Sequence, residues 1–368
     1  LDSVGNFIRL FDCIRRDGGK ILLHIPGATC LGIAQAAGEV VAFLDDDAVP
    51  EPTWLARLSA PFINPDVAAA GGFVRGRNGI DFQWRARTVT AGLEESELTL
   101  DGEDPVAPEP RAGRAIKLQG TNMAHRRSVL MRMGGFDPAY RFFLDETDLD
   151  LRHAEAGHRV VVVPLAQVHH GYAESLRRAA DRTPRDLTEI GASVAVFLRR
   201  HCDKAGHAAA WKRIRAEQRR RLLRHMERGP LGPDDVLRLL RGLDHGWREG
   251  RARPLSTLKP MPDAPSPFLA FPGRPGAPRT VLAGRPWRRA GLRREARRLV
   301  REGRIVSLYR FSHTALFHRV RFHPEGFWEQ IGGLWGRSDR GDPIVWPWLF
   351  RRRLEAECAR VSQVRERG

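Results

Sequence analysis

The chain has 368 residues, 42% of them hydrophobic, which is enough to fill a sizeable core and excludes a disordered chain. Its 61 Lys and Arg against 44 Asp and Glu leave a formal net charge of +17, a surface that attracts nucleotide phosphates, nucleic acid or an acidic membrane without choosing among them. Cys13, Cys30, Cys202 and Cys358 form no close pair, which argues against a zinc knuckle or a disulfide framework and fits a reducing cytoplasm, and no run approaches the ~18 apolar residues of a membrane span.

In chain order, a helix is expected over 7–16, a strand over 20–25, a small-residue helix over 28–37 and a buried strand over 40–44, the alternation of an α/β sheet. Asp45-Asp46-Asp47 follow, and Pro50 and Pro52 open a helix at Trp54, so three carboxylates stand at the carboxyl end of a central strand, where open α/β sheets bind ligands. A strand-like run over 67–74 is broken by Gly71-Gly72, and 92–114, rich in acid, proline and glycine, reads as a mobile loop. A strand over 115–124 ends in Gly120-Thr121-Asn122, a helix runs through Val129-Leu130, and Asp145-Glu146-Thr147-Asp148 open a helix over 149–156. Gly157 closes that helix, an apolar strand over 160–163 is bounded by Pro164, and His169-His170 come a few residues later. Apolar residues at 187, 190, 194, 197 and 198 predict a packed helix over 186–200.

Composition then shifts. A strongly basic helix is expected over 211–228 and a shorter one over 233–243, followed by a proline-rich strap or linker over 259–279. An Arg-dense amphipathic helix over 290–303, strands over 305–311 and 315–322, and a tail bearing Trp328, Trp335, Trp346 and Trp348 complete the chain. The boundaries read as a catalytic domain over 1–203, a basic helical region over 204–256, the strap over 257–285 and an Arg/Trp-rich region over 286–368.

Three adjacent acids repel one another unless a cation or hydrogen bonds compensate, so Asp45-Asp46-Asp47 is a candidate site for a hard divalent ion; the plain alternative is an acidic turn and helix cap. Asp145, Glu146 and Asp148 are candidates for a base that takes a proton from an attacking hydroxyl, with helix capping by Thr147 and Asp148 as the competing account. His169 and His170 could add imidazole to a metal shell, although a His pair alone is more often a polar loop feature. Asn122 is a further candidate contact, against the reading of a simple strand-ending turn.

Over residues 19–170 the chain resembles the GT-A domain of family-2 glycosyltransferases. The matching pieces are Gly38 to Ala48 with Pro50, Pro52 and Trp54, Gly120-Thr121-Asn122-Met123-Ala124 with Arg126-Arg127, Gly134-Gly135-Phe136-Asp137, the segment Asp145 to Arg152, and the His pair. The resemblance implies a GT-A (Rossmann-like) mixed sheet flanked by helices, here with a mostly helical C-terminal extension containing a small β element. It implies that Asp45 faces the ribose or base of a nucleotide-sugar donor, linked to UDP, GDP or dTDP, and that Asp47 holds Mn2+ or Mg2+ with Asp46 beside it. Glu146, with Asp145 next to it, would be the base of an inverting displacement, and His170 or His169 a further metal or diphosphate contact. The chain departs from the family in two places. The leading strand and its Thr-Tyr-Asn-like turn would lie upstream of Leu1, and Ala28-Thr29-Cys30 stand where the family often has Ala-Arg-Asn.

The acceptor implied is a glycan or lipid-linked hydroxyl, and the setting a cytoplasmic protein with a peripheral place on the inner face of the cytoplasmic membrane through the helix over 290–303. Nucleic acid is the less favoured partner of the basic helix, because a charge run is usually a solvated face. Two rival readings are a metal-dependent phosphoesterase or nucleotidyltransferase, and a degenerate GT-A module that binds glycan or lipid without catalysis.

Overall fold

The computed structural model describes residues 21–23, 29–171, 174–262, 267–268, 276–345 and 349–365; the helix expected over 7–16 lies outside them. The first part contains β1 (Ile21–Leu23), α1 (Thr29–Gln35), β2 (Val40–Leu44), β3 (Ala48–Pro50), α2 (Trp54–Ser59), β4 (Val67–Arg75), β5 (Phe82–Trp84), β6 (Arg87–Thr90) and β7 (Glu95–Glu97). It continues with β8 (Arg114–Lys117), β9 (Met123–Arg126), α3 (Arg127–Arg132), α4 (Asp145–Glu155), β10 (Arg159–His170), α5 (Thr188–His201), α6 (His207–Glu227) and α7 (Pro233–Ala252). The last part holds β11 (Arg279–Gly284), α8 (Arg289–Arg301), β12 (Ile305–Ser312), β13 (Arg319–His323), β14 (Phe327–Gly333) and α9 (Phe350–Arg365).

The central sheet has seven strands in the order β1-β2-β9-β4-β10-β3, with β5 paired to β4. It is mixed: β1 runs parallel to β2 and β4 to β10, while β9 lies antiparallel between β2 and β4. Strand alternation sends neighbouring apolar residues to opposite faces. Ala42, Leu44, Val161 and Val163 pack with Trp54, Leu58 and Phe62 on one side, while Val41, Phe43 and Val162 pack with Leu130, Phe136 and Leu149 on the other.

Four local expectations are corrected. Gly71 and Gly72 do not interrupt β4; they let its backbone approach neighbours where a side chain would not fit, since a Cβ on Gly72 would lie 1.8 Å from the Ala166 carbonyl oxygen. Pro164 does not end β10 but sits in an irregularity between Val163 and Gln167, after which pairing with β4 resumes, so the histidines finish the same strand. The run over 92–114 is not a free loop, because β7, β6 and β8 form a three-stranded sheet and Val106 bridges Val162. The strand expected over 115–124 is two strands, β8 and β9, with Gly120-Thr121-Asn122 in the connection between them.

The helices α5 and α7 pack closely because α7 offers small residues: a Cβ on Gly246 would lie 1.8 Å from the Thr188 carbonyl oxygen. Trp211 of α6 stacks on Trp247 of α7 with ring centroids 4.3 Å apart. The C-terminal region is more β-rich than expected. Its four-stranded sheet, β11-β12-β14-β13, begins at Arg279 inside the segment assigned to the strap, and the tryptophan tail contributes β14. The apolar stripe of α8, Leu292, Ala296 and Leu299, packs against Val306, Leu308 and Phe327 of that sheet rather than remaining available to lipid. No helix among the described residues is long and apolar enough to cross a membrane.

The second sheet docks on the first through Val320, Phe322 and Trp328 against Val49 and Ile80, and α9 adds Val361 and Val364 against Leu165. Gly72→Ala is expected to cost about 3 kcal/mol, the upper range for overpacking, because backbone on β10 must move. Gly120→Ala, with open space at its Cβ, should be near neutral. Urea unfolding midpoints of the two variants check the contrast.

Candidate functional site

The buried strand β2 delivers Asp45, Asp46 and Asp47 to its carboxyl end, where the Ala48 amide donates to the Asp45 carbonyl at 3.1 Å and turns the chain into β3. Antiparallel pairing of β3 with the end of β10 sets His170 opposite Ala48, and the Gly171 amide donates to the Asp47 carbonyl at 2.7 Å. The His170 Nε2 consequently lies 3.0 Å from an Asp47 carboxylate oxygen and 3.7 Å from one of Asp45. One ligating atom from each of the three residues falls within 4.8 Å of the others. Two carboxylate oxygens and an imidazole nitrogen, all partly open to solvent, suit manganese or magnesium. Asp46 is exposed beside the trio, and the Arg178 guanidinium stands 3.7 Å from the other Asp47 oxygen.

The histidine pair is split. Successive strand residues face opposite ways, so His169 turns from the carboxylates, and its Nε2 meets Glu51 at 2.7 Å while its ring packs on Trp328 at 4.5 Å between centroids. That removes His169 from the metal shell to which the sequence reading assigned it. Glu51 itself is fully buried and accepts two hydrogen bonds from Arg365 of α9, at 2.8 and 2.9 Å. Burial opposes its charge, but Arg365 and His169 outweigh that and hold the carboxyl well below the usual carboxylate range. Burial likewise pushes His169 down, toward the neutral imidazole. Nothing in the local pattern marks Glu51, an acid between two prolines; its partner lies 314 residues away.

The second acidic cluster lies inside α4, which starts four residues earlier than expected. Its N-cap is Leu144, with φ of 70° and no side-chain cap, preceded by Phe143 at φ 72°. Two consecutive non-glycine residues in the left-handed region are costly, and they set Asp145 and Glu146 in the first turn at the positive end of the helix dipole. Capping by Thr147 and Asp148 is therefore not observed. Asp148 is buried and bound to Arg152 and His201, both at 2.8 Å, so it is a packing residue. Asp150 accepts the Leu118 amide at 2.9 Å. Glu146 differs: burial first, and the Asp145 carboxylate second, push its pKa up to about 8.

Asn122 is fully enclosed. Its oxygen accepts from the Trp54 indole at 2.7 Å and its nitrogen donates to the Phe73 and Ala166 carbonyls at 2.9 and 2.8 Å, which ties α2, β4 and β10 together and commits its amide inside the fold. The structure thus brings together Asp45, Asp47 and His170, pairs Asp145 with Glu146 on α4, and places His169 and Asn122 in buried contacts of the scaffold.

A family model described as glycosyltransferase-like family 2 matches residues 25–188. The pre-mycofactocin glycosyltransferase of Mycobacterium tuberculosis is 29% identical over 193 residues, which cover 50% of this chain and 38% of that protein. The glucosyl-dolichyl phosphate glucuronosyltransferase of Haloferax volcanii is 29% identical over 178 residues, covering 44% of this chain and 55% of that protein. The chain thus matches little more than half the length of these relatives at most. Among solved structures, GalNAc-T7 with UDP, GalNAc and Mn2+ aligns with a TM-score of 0.34 at 18% identity, over 47% of this chain and 34% of that one.

Arg365→Met strands a buried Glu51 charge and is expected to cost about 3–5 kcal/mol, with Glu51→Gln added to it recovering part of the loss. Because the folded pKa of Glu51 is depressed, its contribution is present above the ordinary value of 4.5 and is lost as pH falls below it. The Glu51→Gln variant should accordingly lose less stability than wild type between about pH 5 and about pH 3, read from urea midpoints.

Proposed function

We propose that the chain, which the glycosyltransferase-like family 2 model matches over residues 25–188, is an inverting family-2 glycosyltransferase moving a sugar from a nucleotide-diphosphate donor to an acceptor hydroxyl on a glycan or lipid-linked substrate. The observation that carries this reading is the convergence of Asp45, Asp47 and His170 at one strand end within the matched residues. When bound there, a manganese or magnesium ion supplies neutralisation of the departing diphosphate. Asp47 and His170 would hold it, with Asp45 toward the nucleoside, whether uridine, guanosine or thymidine, and Asp46 at the exposed rim.

Glu146 acts as the base. It takes the proton of the acceptor hydroxyl while that oxygen bonds to the sugar's anomeric carbon and the bond to the diphosphate oxygen breaks on the opposite face, inverting the centre. The neighbouring Asp145 carboxylate and burial strengthen Glu146 as a proton acceptor. The reading requires Asp47 and Glu146 to face one cleft.

Glu146→Gln should lower transfer by about 10²–10⁴ while Mn2+-dependent nucleotide binding persists, measured by nucleoside diphosphate release and by calorimetry. Retained transfer would move the role to Asp145. Asp47→Asn should weaken binding of Mn2+ and of the nucleotide together. A base must be deprotonated to act, so with a folded pKa of about 8 the rate should climb as pH rises toward that value and level off above it.

A further inference from the structure

The strands β11, β12 and β14 run parallel and end side by side. Their carboxyl ends deliver three short segments to one end of the second sheet: Arg285-Pro286-Trp287, His313 to Phe317, and Leu334-Trp335-Gly336. The His313 ring stands between the two indoles, with centroids 6.4 Å from Trp287 and 6.1 Å from Trp335. Beside them the backbone of 314–316 lies directly on that of 333–336: the Gly333 amide donates to the Leu316 carbonyl at 2.8 Å and the Trp335 amide to the Thr314 carbonyl at 3.1 Å. A Cβ on Gly336 would lie 1.9 Å from the Leu316 carbonyl oxygen, so no side chain fits between the two runs. Val345 joins this end by bridging Gly336, and Phe350 at the start of α9 joins it beneath the Arg285 guanidinium, 4.6 Å from the ring centroid.

What this end exposes is apolar. Trp287, Leu316, Phe317, Ile344, Val345 and Leu349 are each between 55% and 73% open to solvent. Single exposed apolar residues are ordinary, whereas a contiguous set marks a surface that meets something apolar. The rim is of one sign: the segments 284–291, 312–318, 333–337 and 349–352 contain no Asp or Glu and hold Arg285, Arg288, Arg289, Arg337, Arg351 and Arg352. Arg337 lies over the Phe317 ring at 4.3 Å. Of the acids next along the chain, Asp342 pairs with Arg360 and Glu355 with Arg351, and the other five arginines outnumber Asp339.

Chemistry selects the occupant. Sugars and nucleobases stack on flat aromatic faces and would leave the aliphatic Leu316, Ile344, Val345 and Leu349 in water. A second copy of this chain, meeting the face about a two-fold axis, would set the same arginines against one another. Hydrocarbon beneath an anionic headgroup layer suits both features, covering the aliphatic residues while indoles and guanidiniums lie at headgroup depth.

We propose that the carboxyl end of β11, β12 and β14 docks the protein on an anionic lipid surface, with Trp287, Leu316, Phe317, Val345 and Leu349 entering the headgroup–acyl boundary and Arg288 and Arg289 meeting lipid phosphates. The apolar stripe of α8 takes no part, being packed in the core; the docking face begins at that helix's amino end. This attachment is independent of the chemistry at Asp47.

The test uses the full chain in vesicle flotation, with phosphatidylglycerol and phosphatidylcholine vesicles at low and high salt. Wild type should float with phosphatidylglycerol and remain largely unbound by phosphatidylcholine, and part of the binding should survive high salt because apolar burial is not screened. Leu316→Ser/Leu349→Ser should weaken partitioning by at least roughly tenfold and abolish the salt-resistant part, while Arg288→Gln/Arg289→Gln should weaken mainly the low-salt binding. Arg219→Gln/Arg220→Gln, on an exposed turn of α6, removes the same charge elsewhere and should leave binding within about twofold of wild type. Every substituted position is exposed, so each variant should keep the wild-type urea midpoint. Failure of wild type to float with phosphatidylglycerol overturns the proposal, as does unchanged binding by the leucine variant. An equal loss in the α6 variant overturns it in favour of unspecific attraction by the net charge. Binding of single-stranded DNA or a soluble acidic polysaccharide, weakened by the same variants and without vesicle binding, overturns it in favour of a soluble polyanion. Dimerisation of wild type that the leucine variant abolishes, again without vesicle binding, overturns it in favour of a second copy.

Discussion

A buried carboxylate cannot stay charged without partners, and at Glu51 those partners come from β10 in the middle of the chain and from the last described helix. Its amide pairs with the Gln167 carbonyl of β10, its side chain takes Arg365 from the last helix and meets His169 from β10, and Trp328 of the second sheet covers both His169 and Arg365. His169 is the residue before His170, and Glu51 lies just beyond β3, the strand that aligns with the end of β10. The same ion pair therefore locks the C-terminal region onto the central sheet and holds the strand segment that presents His170 to Asp47. Separating the two regions would leave Glu51 charged in an apolar surround, so they behave as one folded body at this point.

Two acids illustrate how environment, not residue type, assigns role. Glu51 is buried and Glu146 partly so, and desolvation by itself raises a carboxyl pKa. Glu51 has a bidentate guanidinium and an imidazole, and stays ionised as part of the scaffold. Glu146 has another carboxylate as its neighbour, and two left-handed residues hold it at the start of a helix. Opposite displacements of this kind separate structural acids from those suited to proton transfer.

Many of the chain's arginines are engaged by carboxylates inside the fold, while the net charge of +17 is carried by the rest. Glu329, fully buried on β14, receives Arg293, Arg310 and Arg321. Arg253 is held by Glu189 and Glu249, and Arg152 by Asp148.

The local pattern of residues was sufficient to locate β2, the three aspartates at its end, the helix opened at Trp54, the acidic run at the start of α4 and the apolar face of α5. Those features depend on periodicity and on nearest neighbours in the chain, and both are visible in one dimension. The order of the strands, the continuation of β10 through Pro164, the small sheet around β6 and the α/β character of the C-terminal region depended on pairing between distant segments, which no local propensity encodes. The division of labour within each motif was decided the same way. Strand alternation sent His170 to the carboxylates and His169 to Glu51, close packing at Gly72 left Asn122 enclosed, and a helix begun early put Glu146 rather than a cap residue at its positive end. Sequence alone determined which residue types stood at each strand and helix end; only the tertiary structure decided which of them face each other, because that follows from strand pairing across more than a hundred residues.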